Sequence, residues 1–111
     1  MLDDLIIYQK CYDFILWIFP IVNKFPQKQR FVLGQQIENE LLEIIKDIIL
    51  ANNEIEKSGI LKRISVKLDT LRTLIRLAKD LRFLSIKHYE NAAAKINEIG
   101  KLLNGWIKKF A

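Results

Sequence analysis

A chain of 111 residues, half of them hydrophobic, has the length for one domain and the apolar content for one core. The single cysteine, Cys11, excludes an intrachain disulfide framework. The longest apolar run, the nine residues Phe14 to Val22, is well short of the roughly 20 that span a bilayer.

The net charge of +5 is unevenly distributed. Residues 1–59 carry six Lys/Arg against nine Asp/Glu, and residues 60–111 carry twelve against four. A half-chain this basic attracts polyanions such as nucleic acid or an acidic membrane surface. The competing reading is a set of solvated lysines on exposed helix faces. Asp3 and Asp4 stand where a secretory leader would carry positive charge. A soluble, cytoplasmic protein of one domain, 1–111, with no membrane partner, is therefore expected.

The first helix is predicted from Asp3 to Phe25. Leu5, Tyr8, Tyr12, Ile15, Phe19 and Val22 follow a three-four spacing, the period of one helix face. Ile6, Phe14, Trp17, Ile18 and Ile21 widen it. Pro20 lies inside this pattern and predicts a kink, because it lacks a backbone donor and crowds the carbonyl of Leu16. Phe25-Pro26 ends the helix, since a residue before proline avoids α geometry.

The second helix is predicted from Lys28 to Ala51, with Ile37, Leu41, Ile44, Ile45, Ile48 and Ile49 as its apolar stripe. Glu38, Glu40, Glu43 and Asp47 are expected to face away or flank it. Gly34 weakens the start of the helix and permits close packing there. Asn52-Asn53 and Ser58-Gly59 mark a connection. Alternatively, Asn53 caps a short turn with Glu56 three residues on.

The third helix is predicted from Ile60 to Phe83. Leu61, Ile64, Leu68, Leu71, Ile75 and Ala78 form one apolar stripe. Leu74, Leu77 and Leu81 form a second about a third of the way round the wheel, at 100° per residue. Two apolar faces need two packing partners. A monomeric bundle supplies one, so the second face is either a subunit interface or part of a very broad core face.

Arg72, Arg76, Lys79 and Arg82 are expected on one side of this helix, with Lys62 nearby and Arg63 and Lys67 closer to the second apolar face. Guanidinium groups meet phosphate oxygens in pairs, so these seven residues form the candidate nucleic-acid surface. Simple pairing of Arg72 with Asp69, and of Arg76 with Asp80, is the competing account. Aromatic residues fall mostly in the apolar stripes, so the expected binding mode is phosphate-directed, to RNA and also DNA, with modest sequence selectivity.

The fourth helix is predicted from Ser85, a favourable N-cap, to Lys109. Tyr89, Ala92, Ile96, Ile99, Leu103, Trp106 and Phe110 form an unbroken seam. Gly100 and Gly105 are either points of close contact or signs that the helix frays after Leu103. Short connections make consecutive helices antiparallel neighbours, which gives an all-α, up-down-up-down four-helix bundle.

Catalytic signals are missing from the pattern. His88 is the sole histidine. With Cys11 it cannot make a structural zinc set, and neither a Glu-x-x-His pair nor a glycine-rich phosphate loop occurs. No catalytic residue, metal or cofactor is expected.

Five strings carry a resemblance. They are Lys24-Phe25-Pro26, Arg30-Phe31-x-Leu33-Gly34-x-x-Ile37, Arg76-Leu77-Ala78-Lys79-Asp80-Leu81, Ser85-x-Lys87-x-Tyr89-Glu90, and Glu98-Ile99-Gly100-x-x-Leu103-x-Gly105-Trp106. In this order they resemble the accessory variability determinant (Avd) proteins of diversity-generating retroelements, from about Leu5 to Lys108. They are also similar to four-helix-bundle proteins encoded in intervening sequences of ribosomal RNA genes; the Trp-ending string favours the retroelement branch. Pro20 departs from the pattern.

The resemblance implies a barrel-shaped homopentamer with a basic nucleic-acid-binding surface. It also implies a reverse transcriptase partner that copies template-repeat RNA into mutagenic cDNA. The alternatives are a protein of the intervening-sequence branch, or a bundle that binds only proteins.

Overall fold

The computed structural model describes residues 5–110. The predicted start at Asp3, and the acids Asp3 and Asp4, lie outside them. Among the described residues there are four long helices and no strand. Helix α1 is Ile6–Val22. Helix α2 covers 27–53 as a turn Gln27–Gln29, a π-helical stretch Arg30–Gly34 and the α-helix Gln35–Asn53. Helix α3 is Ser58–Asp80 and α4 is Ile86–Phe110. Each helix packs against the preceding and following one, and α4 closes the square on α1. The bundle measures 43 × 22 × 22 Å.

The α3 stripe is as predicted: Leu61, Ile64, Leu68, Leu71, Ile75 and Ala78 are all buried. On α2 the core residues are Ile37, Leu41, Ile44 and Ile48; Ile45 is half-buried and Ile49 exposed. Gly34 has the predicted role. A Cβ there would come within 2.8 Å of Val22 Cγ1, so the glycine lets the start of α2 close on the end of α1.

Helix α1 corrects the sequence reading. Its core face is Ile7, Cys11, Phe14, Ile18 and Val22; Phe14, Ile18 and Val22 belong to the predicted face, but its centre is displaced from the stripe through Leu5, Tyr8 and Tyr12. Tyr12 is 45% exposed, and Tyr8, Ile15 and Phe19 are only half-buried. Both stripes have helical spacing. The stripe through Cys11 and Phe14 is buried because it has no phenol oxygens, which would require partners inside the core. Burial pushes the Cys11 thiol up to about 12, which makes it a packed core group rather than a reactive one. The helix runs through Pro20 to Val22.

Three end details also differ. Asn53 does not cap a turn; its side-chain amide donates back to the Ile49 carbonyl at 2.8 Å. Lys57 instead caps the end of α2, its ammonium donating to the Ala51 carbonyl at 2.6 Å and to the Glu54 carbonyl. The fourth helix continues past Gly105, with Trp106 half-buried and Phe110 exposed rather than in the core. Ser85 caps α4 as predicted, its Oγ accepting from the His88 N–H at 3.0 Å.

Helix α3 ends at Asp80, before Arg82, which stands in the turn. Arg82 has φ 66°. The Phe83 N–H donates to the Ala78 carbonyl and the Arg82 N–H to the Lys79 carbonyl, each at 2.9 Å. This is the Schellman arrangement, whose left-handed position ordinarily takes glycine. Phe83 packs on buried Phe25 with ring centroids 6.1 Å apart, which ties this turn to the α1–α2 connection.

Candidate nucleic-acid interface

The expected basic surface divides into three groups. The first is structural. Arg63 and Lys67 converge on Asp47 of α2, with Arg63 Nη2 3.0 Å from Oδ1 and Lys67 Nζ 2.9 Å from Oδ2. Asp47, predicted to face away or flank, is 7% exposed. Burial pushes its carboxyl up, but the hydrogen bonds and charges of Arg63 and Lys67 outweigh that and hold it below its ordinary value. Arg63 and Lys67 lie on the α2 side of α3, away from the other basic residues.

The second group lines the groove between α3 and α4. Arg72 is half-buried, its Nη1 2.8 Å from Asp69 Oδ1. A Cβ at Gly100 would lie 2.7 Å from Arg72 Nη2. Gly100 is therefore a point of close contact that lets the guanidinium lie against α4, whereas Gly105 meets nothing within 4 Å. Lys79 Nζ is 3.2 Å from Asp80 and 4.5 Å from the centroid of the Tyr89 ring. Arg82 follows at the end of the groove.

The third group is open to solvent. Arg76 has a 72% exposed side chain and meets Asp80 only at 3.8 Å. Lys62 is exposed, and among the described residues no ion pair holds it. An exposed pair like Arg76–Asp80 contributes little to stability and yields readily to another anion.

Arg82 carries a conformational cost. A non-glycine residue in the left-handed region costs about 1 kcal/mol or more, and here glycine would meet no such penalty. Arg82→Gly is expected to raise stability by about 1 kcal/mol, seen as a melting temperature several degrees higher. A lower melting temperature would show that the Arg82 side chain itself holds the turn.

Within the second apolar stripe of α3, Leu74 packs against the core, whereas Leu77 and Leu81 stand outside it. Leu77 is 44% and Leu81 50% exposed, and Leu74 is half-buried. Helical spacing turns this stripe toward the α2 side, opposite Arg72 and Arg76. Another apolar surface occurs on α1, where Tyr12 and Leu16 are exposed beside half-buried Ile15 and Phe19.

Residues 5–110 match the bAvd-like family. The chain belongs to that family. The matched span contains all five strings that carry the resemblance to Avd proteins. No curated protein matches the chain. Among the described residues, no group of three or more His, Cys, Asp or Glu side chains is placed to hold a metal ion. No described helix is long and apolar enough to cross a membrane.

Two features of this surface leave no signal in the sequence. Asp47 reads as one more acid on a charged helix face, and its partners are 16 and 20 residues away. Tyr89 reads as a core residue because it keeps step with Ala92 and Ile96, yet it is half-buried at the groove.

Proposed function

We propose that the protein is a non-catalytic accessory component of a diversity-generating retroelement. In this reading it works in the cytoplasm as a closed homo-oligomer, a pentamer by family resemblance. It binds template RNA, and DNA with it, and it binds the reverse transcriptase to support mutagenic cDNA synthesis. The observation that carries the reading is family membership over residues 5–110. The nucleic-acid role is supported by charge: twelve of the chain's eighteen Lys/Arg lie in residues 60–111, and α3 and α4 are adjacent in the bundle. Assembly is supported by two apolar surfaces on different sides of the molecule. Closed rings use two unlike patches per protomer, whereas a two-fold dimer uses one.

The test is salt-dependent RNA binding. Log affinity should fall with log salt at a slope of about −0.7 for each phosphate neutralised on a single strand. The exposed residues make the cleanest probes. Lys62→Glu with Arg76→Glu should weaken RNA and DNA alike, because phosphate contacts carry little sequence information. Melting should change by roughly half a kcal/mol at most, as for other surface changes. Lost stability with unaltered affinity would make Arg76 an intramolecular partner of Asp80 and remove Lys62 and Arg76 from the nucleic-acid surface. Wild-type protein that binds no RNA in low salt would leave a protein-interaction bundle. Gene neighbourhood separates the retroelement reading from the intervening-sequence branch.

A further inference from the structure

The α3–α4 groove holds two recesses that share one wall. The larger, about 850 Å³, lies over the Schellman turn between Lys79, Arg82, Leu84, Ile86 and Tyr89. The smaller, about 190 Å³, lies between Arg72, Ile75, Tyr89, Ala93, Ile96 and Asn97. Tyr89 lines both. Cations stand along the whole length: Arg72 at one end, Lys79 over the Tyr89 ring, and Arg82 at the other.

We infer that this groove takes an unpaired stretch of RNA, with bases in the two recesses that Tyr89 joins and phosphates on Arg72, Lys79 and Arg82. The inference rests on the nucleic-acid reading above and goes beyond it by naming the strand state.

Three features distinguish the groove from a plain phosphate surface. Its walls are largely apolar. Ile86 and Ala93, the accessible apolar residues of the lining, do nothing for a phosphate but suit the faces of planar bases, over a floor of the core residues Leu84, Ile75 and Ile96. Ile86 in particular is 68% exposed at the first residue of α4, where it adds nothing to the core. The smaller recess has roughly six times the liquid volume of one water, room for a single flat ring, and Asn97 at its edge offers both a donor and an acceptor.

The cations are held at the rim. Gly100 gives Arg72 its place against α4, and the Arg82 side chain persists where glycine would relieve the backbone. Asp80 and Glu90 also line the larger recess. Asp80 is paired with Lys79 and approached by Arg76, and Arg72 is paired with Asp69, so a phosphate entering the groove would take over cations from exposed carboxylates, an exchange that costs little.

A duplex cannot use such recesses. Its bases are stacked and paired inside the helix, and the deep, narrow A-form groove keeps side chains from them. A single strand can turn its bases outward.

The experiment compares an unstructured single-stranded RNA with a blunt RNA duplex of equal length, using fluorescence anisotropy on the full chain. Ala93→Leu fills the smaller recess without altering a charge and keeps helix propensity. It is expected to weaken single-strand binding roughly fivefold, the low end of what one stacked base contributes, while duplex binding stays the same. Ile86→Ser acts in the other recess at an exposed position outside the core and should do likewise. Arg82→Gly should weaken both RNAs, since it removes a phosphate contact.

No salt-dependent binding of either RNA by the unaltered chain would overturn the nucleic-acid reading and the groove together. Salt-dependent binding with no preference for the single strand would overturn the groove alone. So would a preference that survives both Ala93→Leu and Ile86→Ser. Loss of reverse transcriptase capture with RNA affinity unchanged would assign the recesses to a protein and overturn the inference as well.

Discussion

Asp47→Ala is expected to destabilise the bundle by about 2–3 kcal/mol at neutral pH. Removing one partner from a buried ion pair typically costs about 3–5 kcal/mol, because the charge left behind has lost its compensation. The lower range applies here. The Arg63 side chain is 51% exposed and regains water, and Lys67 retains Glu43 at 3.8 Å. Asp47→Asn keeps the shape and removes the charge, so it should fall between wild type and Asp47→Ala.

The acid response fixes the sign. Arg63 and Lys67 hold the Asp47 carboxyl below its ordinary value in the folded chain. The stability this gives is present above the unfolded value, about 3.9 for aspartate, and is lost as pH falls through the folded one. The stability gap between wild type and Asp47→Asn should thus be steady from pH 7 down to about 5 and shrink below about pH 4. Chemical denaturation at several pH values measures it. A gap that stays constant down to the acid limit would mean that packing, not charge, is what Asp47 contributes.

That pair also marks where the sequence stops being informative. Helix α3 was legible because its aliphatic positions keep one period and contrast with lysine, arginine and threonine between them. Helix α1 was not, because it is apolar on two sides: the stripe through Tyr8 and Tyr12 and the stripe through Cys11 and Phe14 have equal claims by spacing. Only packing against α2 and α4 decides between them.

The α3–α4 turn was misplaced for a related reason. A Schellman ending is usually announced by glycine, and here Arg82 occupies that position, so the spacing predicts a helix three residues too long, with Arg82 on it. The π-helical stretch Arg30–Gly34 leaves no mark in hydrophobic spacing either, because one extra residue in a turn is within the scatter of a stripe that begins there. Of the candidate surface, charge and spacing correctly put Arg72 and Arg76 on the same side of α3. Nothing in the sequence could show that Arg63 and Lys67 face a buried acid across a helix interface.

Leu77→Glu should dissolve the proposed assembly. In a lone protomer this change is mild, since Leu77 is 44% exposed and exposed substitutions stay within roughly half a kcal/mol. In a ring the outcome differs. Leu74, Leu77 and Leu81 would be covered by the next protomer, and a carboxylate placed there loses its water without gaining a partner. The penalty, several kcal/mol at each contact, recurs at every interface of a closed ring, because all protomers present the same two patches. Dissociation should therefore be complete rather than partial. Light scattering should give wild type a mass about five times the 13.1 kDa chain and Leu77→Glu the mass of one chain, with helix content and melting of the protomer retained. A monomeric wild type at micromolar concentration would overturn the assembly itself, and a Leu77→Glu variant that keeps the full mass would remove the α3 stripe from the interface and leave the aromatic surface of α1 as the remaining candidate.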